Sequence, residues 1–149
     1  MVYLTPTPTR FNGVYDLRRL SWRRREWELL GTVTFDTARL SGGDGSLLRI
    51  TVPVGSRTDF ASIPRFLHAC FPPDGPWGPA AIVHDYLYRE GRCGPDADAR
   101  CATRREADAV FLEGMDDLGV PWYQRWPMWL AVRLFGWWGY NPNNPDHPR

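Results

Sequence analysis

The period of the apolar positions changes halfway along the chain. In the first half it is two. Residues 26–35, EWELLGTVTF, alternate in part and carry β-branched side chains. Residues 47–54, LLRITVPV, place Leu48, Ile50 and Val52 on one face of a strand. Between them SGGDGS, residues 41–46, is a turn by composition, so the two segments form a hairpin with a polar connection. Residues 14–22 supply a third strand.

The second half carries helix punctuation. Ser62 as N-cap, with Pro64 in the first turn, opens a short helix over 65–70. FPPDGPWGP, residues 71–79, is a rigid loop. Pro79 opens a helix to about Arg89, stopped near Gly91. Thr103 and Glu106 form a capping box that starts a helix to about Leu118, with Gly119 as its C-cap. Pro121 and Pro127 bracket a last helix, roughly 127–137, and NPNNPDHPR leaves an extended tail over 139–149. No repeat or linker divides the chain. The pattern predicts one α+β domain over residues 1–149, a small antiparallel β-sheet from the N-terminal half packed with three or four helices from the C-terminal half.

Composition narrows the function classes. The 149 residues suffice for one hydrophobic core. A net charge of +1 gives no global field toward nucleic acid, and no nucleic-acid partner is expected. The run Arg23-Arg24-Arg25 reads as a solvated strand edge. All eighteen basic residues are Arg. No apolar run reaches membrane-spanning length, and MVYLTPTPTR lacks the pattern of a signal peptide. The expected product is made in a cytoplasm. Its three cysteines, Cys70, Cys93 and Cys101, are then expected as free thiols, although the spacing of the last two permits a bridge. His68 and Cys70 stand two apart without a second pair, too little for a zinc site.

Candidate chemistry concentrates in AAIVHDYLY, residues 80–88. On a helix Ala81, His84, Leu87 and Tyr88 share one side, and Asp85 is offset by about one hundred degrees. His84 and Asp85 are therefore expected on the rim of one cleft rather than both in the core. A neutral imidazole takes a proton from water near neutral pH, and a neighbouring carboxylate holds a hard cation. In TRREADAVFLEGM the apolar face runs through Ala107, Val110, Phe111 and Met115, and Asp108 sits beside it. If this helix packs on the first, Asp108 reaches the imidazole as an orienting carboxylate and Tyr88 steadies it. The bland alternative is a structural hydrogen bond between a helical His and an Asp.

A second cluster is SRTDFASIPR, residues 56–65, with Thr58, Asp59 and Ser62. Asp59 either caps the following helix or stands beside His84 as a second orienting carboxylate or metal ligand. A third is PWYQRWPMWLAVRLFGWWGY, whose Trp126, Trp129, Leu130, Arg133, Leu134, Trp137 and Trp138 are too many to bury in so small a domain. At least two of the chain's large C-terminal aromatics are expected on the surface, as a patch for other proteins, for a second copy or for lipid.

The order and spacing of TDFASIPR, GPAAIVHDYLYREG, TRREADAVFLEGM and LGVPWYQRWPMWLAVRLFGWW resemble the domain of unknown function 1353 family, found mainly in tailed phages and prophages. The resemblance runs from about Thr5 to Trp138 and implies phage origin without bringing an established activity; the product is expected to be virion-associated. The insert GRCGPDADARCATR departs from the common pattern. The string His84-Asp85-x-x-Tyr88, followed by Ala107-Asp108-x-x-Phe111, is similar to the two-helix core of phospholipase A2 domains, especially viral ones. That similarity implies that His84 activates water, Asp85 ligates calcium, Asp108 orients His84 and Tyr88 supports Asp108. Two functions follow as expectations: a hydrolase acting on lipid esters of a host envelope, or a non-catalytic tail or head-completion component joined through its aromatic C-terminus.

Overall fold

The computed structural model describes residues 2–3, 10–13, 15–21, 26–40, 45–58, 75–96 and 102–138. Two antiparallel sheets from the first half meet three helices from the second, an α+β arrangement. The strands are β1 (Val2–Tyr3), β2 (Phe11–Asn12), β3 (Tyr15–Ser21), β4 (Glu26–Leu29), β5 (Val33–Thr37), β6 (Leu48–Val52) and β7 (Arg57–Thr58). One sheet has the order β1-β3-β4-β7 and the other β2-β5-β6.

The hairpin expected from the alternating segments is β5–β6. Phe35 faces Ile50 and Val33 faces Val52 across it, and all four side chains are buried. Phe11 on β2 stacks on Phe35 with ring centroids 4.2 Å apart. The expected single strand over 26–35 is instead two strands in different sheets. The chain turns at residues 30–32, where the Leu30 N–H donates to Asp16 O at 2.7 Å, and then leaves β4 to begin β5. Alternation continues through the turn, which hides the break in the sequence.

Helix α1 (Gly78–Glu90) ends at Gly91 in the left-handed region, φ 64°. Helix α2 (Arg104–Asp117) starts on the expected capping box, in which the Thr103 hydroxyl accepts the Glu106 N–H and the Glu106 carboxylate accepts the Thr103 N–H at 2.7 Å. Its C-cap is Leu118, and Gly119 takes the left-handed position just beyond, φ 71°. Helix α3 (Trp122–Phe135) begins five residues before the expected start, and Pro127 lies inside it. The Pro121 carbonyl accepts the N–H groups of both Gln124 and Arg125, so the helix nucleates on Pro121. A 3-10 turn, Gly136–Trp138, follows it.

Helix α1 is the centre of the molecule. It packs on α2, on β5 and β6 of one sheet and on β7 of the other. Residues Gly78 to Tyr88 are buried without exception, so no polar stripe remains. The N-terminal segment is fastened to α2, with Arg10 donating to Glu113 at 2.7 Å and to Asp117 at 3.2 Å. Cys93, just beyond α1, is disulfide-bonded, which corrects the expectation of three free thiols. The other two cysteines lie outside the described residues, as do the short helix over 65–70, the run Arg23-Arg24-Arg25 and the tail over 139–149. No helix among the described residues is long and apolar enough to cross a membrane.

Candidate functional site

Three helices converge on one carboxylate. Asp108 on α2 is wholly buried. Its Oδ1 lies 3.0 Å from His84 Nε2 and also accepts the Tyr88 hydroxyl, both from α1. Its Oδ2 accepts an Nη1–H of Arg133 on α3 at 2.7 Å. An ionised carboxylate only accepts, so the proton on this side of the imidazole belongs to Nε2. The other nitrogen, Nδ1, faces Asp85 Oδ1 at 3.9 Å, beyond hydrogen-bond length. Asp85 Oδ2 accepts the Thr58 hydroxyl from β7. The imidazole also lies against aromatic rings, with the Tyr88 centroid at 4.0 Å and the Phe111 centroid at 4.9 Å.

These contacts set the charges. Burial alone lowers the His84 pKa, but the bond to Asp108 and the nearby Asp85 outweigh it and hold the value above 6.5. Burial alone raises Asp108, yet His84, Arg133 and Tyr88 together keep it below 3.8. Asp85 is likewise held low against its burial, by His84, the Thr58 hydroxyl and the charge of Arg89. Burial and the Asp108 charge push the Tyr88 hydroxyl far up, so it stays a donor.

The sequence places three of these residues in the right relation. His84 and Tyr88 are one turn apart, and Asp108 does reach the imidazole. Asp85, however, is as buried as His84, and the two do not line an open rim. The reason is that α1 is covered on both sides, by α2 and by the strands. An open cleft of about 430 Å³ lies nearby, lined by Val54, Arg57, Tyr86, Arg89 and Glu90 among others, but His84, Asp85, Tyr88 and Asp108 are not part of its wall. Asp59 lies outside the described residues.

Thr58 belongs to the expected 56–65 cluster, whereas Arg104 and the bond from Arg133 to Asp108 were not expected at the site. Arg104 donates to the Arg133 carbonyl and thereby ties the start of α2 to the end of α3. The available signal for Arg133 was electrostatic: a carboxylate buried between helices calls for a cation, and α3 carries Arg but no acidic residue.

Calcium takes six to eight oxygens. Asp85 brings one carboxylate to the position the resemblance assigns to the cation, and its Oδ2 is already engaged by Thr58. Among the described residues no group of three or more His, Cys, Asp or Glu is arranged to hold a metal ion. The described residues do not complete a calcium site.

An α+β chain with a buried His–Asp–Tyr–Arg network between its helices is thus the class that fold and site define. The family described as "Protein of unknown function (DUF1353)" matches residues 37–132, and the chain belongs to it. It is similar to "Uncharacterized protein y4jT" of Sinorhizobium fredii (strain NBRC 101917 / NGR234), with 29% identity over 112 residues, 74% of this chain and 29% of that protein. The aligned part therefore spans less than a third of that relative's length. No solved structure matches the chain.

Proposed function

We propose that this is a phage-encoded accessory protein whose His84 site hydrolyses esters, in the manner of a phospholipase A2 acting on envelope lipids. The observation that carries the reading is the 3.0 Å contact of His84 Nε2 with a carboxylate that Tyr88 also holds. It fixes the tautomer so that the lone pair sits on Nδ1. In the proposed reaction Nδ1 takes a proton from water as the oxygen bonds to the ester carbonyl carbon. Asp108 stabilises the imidazolium. Collapse of the tetrahedral intermediate breaks the bond to the alkoxide, which takes the proton back from Nδ1. The products are a carboxylic acid and an alcohol. His84 is only 1% exposed, so turnover waits on local opening around α1. The phage origin rests on the motif resemblance alone.

The test is turnover of phosphatidylcholine in mixed micelles, with and without added calcium, by wild type, His84→Gln and Asp108→Asn. Turnover by wild type that both substitutions abolish supports the reading. A folded wild type with no turnover in either condition overturns it.

A second reading is favoured by a separate observation. Trp122, Tyr123, Trp126, Leu130, Leu134, Phe135 and Trp137 are all exposed along α3 and the turn after it. In this reading the protein is a non-catalytic tail or head-completion component, and this face binds another virion protein or a second copy. The buried network is then structural. Mass spectrometry of purified particles tests this, since a virion part is present in stoichiometric amount.

A further inference from the structure

We propose that Arg133 is a positioning residue that fixes the plane of the Asp108 carboxylate, which makes α3 a working part of the His84 site rather than its cover. The inference rests on the hydrolase reading for its effect on rate, but not for its structural content.

The Asp108 carboxylate is held at both of its oxygens. Its two oxygens are used differently. Both α1 donors, His84 Nε2–H and the Tyr88 hydroxyl, converge on Oδ1. Rotation about the Cβ–Cγ bond would carry Oδ1 away from both donors, and nothing on α1 holds the second oxygen against such a turn. The bond from Arg133 to Oδ2 at 2.7 Å supplies that second anchor. Asp108 has no exposed surface with Arg133 in place, so the guanidinium and not bulk water is the partner of Oδ2. An unpaired Oδ2 would carry the desolvation cost of a buried charged acceptor. The carboxylate would then turn or take a proton, and either change moves Oδ1 off His84.

The charge balance leads to the same residue. Asp108 and Arg133 together are neutral. With Arg133 in place, the imidazole can lose its proton and act as a base while Asp108 stays ionised. Without it, a neutral His84 would leave Asp108 with no direct cationic partner, since the Arg104 guanidinium acts on the site through the Tyr88 hydroxyl.

Arg133 is itself held from both sides. Arg104 on α2 donates to its backbone carbonyl. Its side chain keeps 31% of its surface, against 2% for the His84 side chain and none for that of Asp108, so it is the most solvent-accessible of the three. Its neighbours on the outer surface, Leu130, Leu134 and Trp137, are exposed. The outer face of α3 and the buried imidazole are thus joined through two side chains, Arg133 and Asp108.

The experiment uses the full chain and reads the His84 Nε2–H and the Arg133 guanidinium by proton–nitrogen NMR. In wild type the Arg133 Nη protons are expected as separate, slowly exchanging signals, and the Nε2–H as a protected low-field signal. A single averaged guanidinium signal overturns the proposal without recourse to any variant. In Arg133→Gln the Nε2–H signal is expected to lose its protection, and in Arg133→Lys, which keeps the charge, to regain part of it. An unchanged Nε2–H signal in a folded Arg133→Gln also overturns it. With phosphatidylcholine micelles, Arg133→Gln should lower kcat by about a hundredfold, the scale on which small misplacement of a catalytic group costs rate, with KM nearly unchanged. Wild type without turnover removes the hydrolase reading, while the NMR result still decides the role of Arg133.

Discussion

Gly136 and Tyr88 approach so closely that a methyl group on the glycine would lie 2.8 Å from the Tyr88 hydroxyl oxygen. The glycine backbone is ordinary there, φ −67°, so space rather than backbone freedom selects it. Tyr88 is buried and bonded to Asp108, and its hydroxyl cannot withdraw without breaking that bond. Gly136→Ala should therefore destabilise the fold by about 1–3 kcal/mol, the usual cost of overpacking. Urea denaturation measures it. A loss under about 0.5 kcal/mol, the range of neutral surface changes, would mean that the end of α3 moves aside freely.

The pH dependence of stability follows from the site. His84 has its pKa raised above 6.5 in the fold, so its contribution is fully present below 6.5 and is lost as pH rises through the raised value. Asp85 and Asp108 are held below 3.8, so theirs is present above 3.8 and lost as pH falls through the depressed values. These groups together favour greatest stability between the two limits. Asp108→Asn should flatten both limbs, because Asp108 titrates in one and is the main partner of His84 in the other. Urea midpoints across pH check this, and a wild-type midpoint that rises above pH 6.5 would contradict it. Ester turnover, if present, should increase over the same alkaline range, as the base form of His84 appears.

What the sequence made legible is local. One helical turn relates His84 to Tyr88, and one residue offsets Asp108 from the apolar face of α2. Those relations survive any packing of the two helices. The strand break at residues 30–32 is not legible, because alternation runs through it. Burial of Asp85 beside His84 is not legible either, since a helix covered on all sides has no polar stripe to reveal its orientation. Arg133 depends on two non-local facts, the start of α3 at Trp122 and the path of its last turn across Tyr88. Neither is encoded in the spacing around Arg133 itself.

The bonded state of Cys93 gives a stability prediction. The Cys93 carbonyl accepts the Thr51 N–H at 2.7 Å, so the segment after α1 is already pinned to β6. A cross-link there restricts the unfolded chain and typically adds about 2–4 kcal/mol. Reduction, or Cys93→Ser, should lower the urea midpoint accordingly. Peptide mapping without reduction should find Cys93 joined to Cys70 or to Cys101. Intact Cys93 thiol in protein purified without reductant would remove the cross-link altogether.

The α3 face makes the last prediction. Trp122 is 68% exposed and Leu134 is 58% exposed, whereas Met128, Ala131 and Val132 on the same helix are buried and hold it to the core. Of the remaining tryptophans, Trp77 is buried and Trp129 packs partly against the core. Stability and surface apolarity are thus assigned to opposite sides of one helix. Trp122→Gln, Trp126→Gln and Leu134→Gln combined should shift stability little, since exposed substitutions usually stay within about 0.5 kcal/mol each. The positive charges near this face are internally matched, Arg125 by Asp116 and Arg133 by Asp108, so association through it should be nearly independent of salt. Sedimentation of wild type should show self-association, or binding to virion proteins, that the triple variant loses at both low and high salt. Equal sedimentation of the two proteins, alone and with disassembled particles, would deny this face any role in assembly and remove the observation that favours the structural reading.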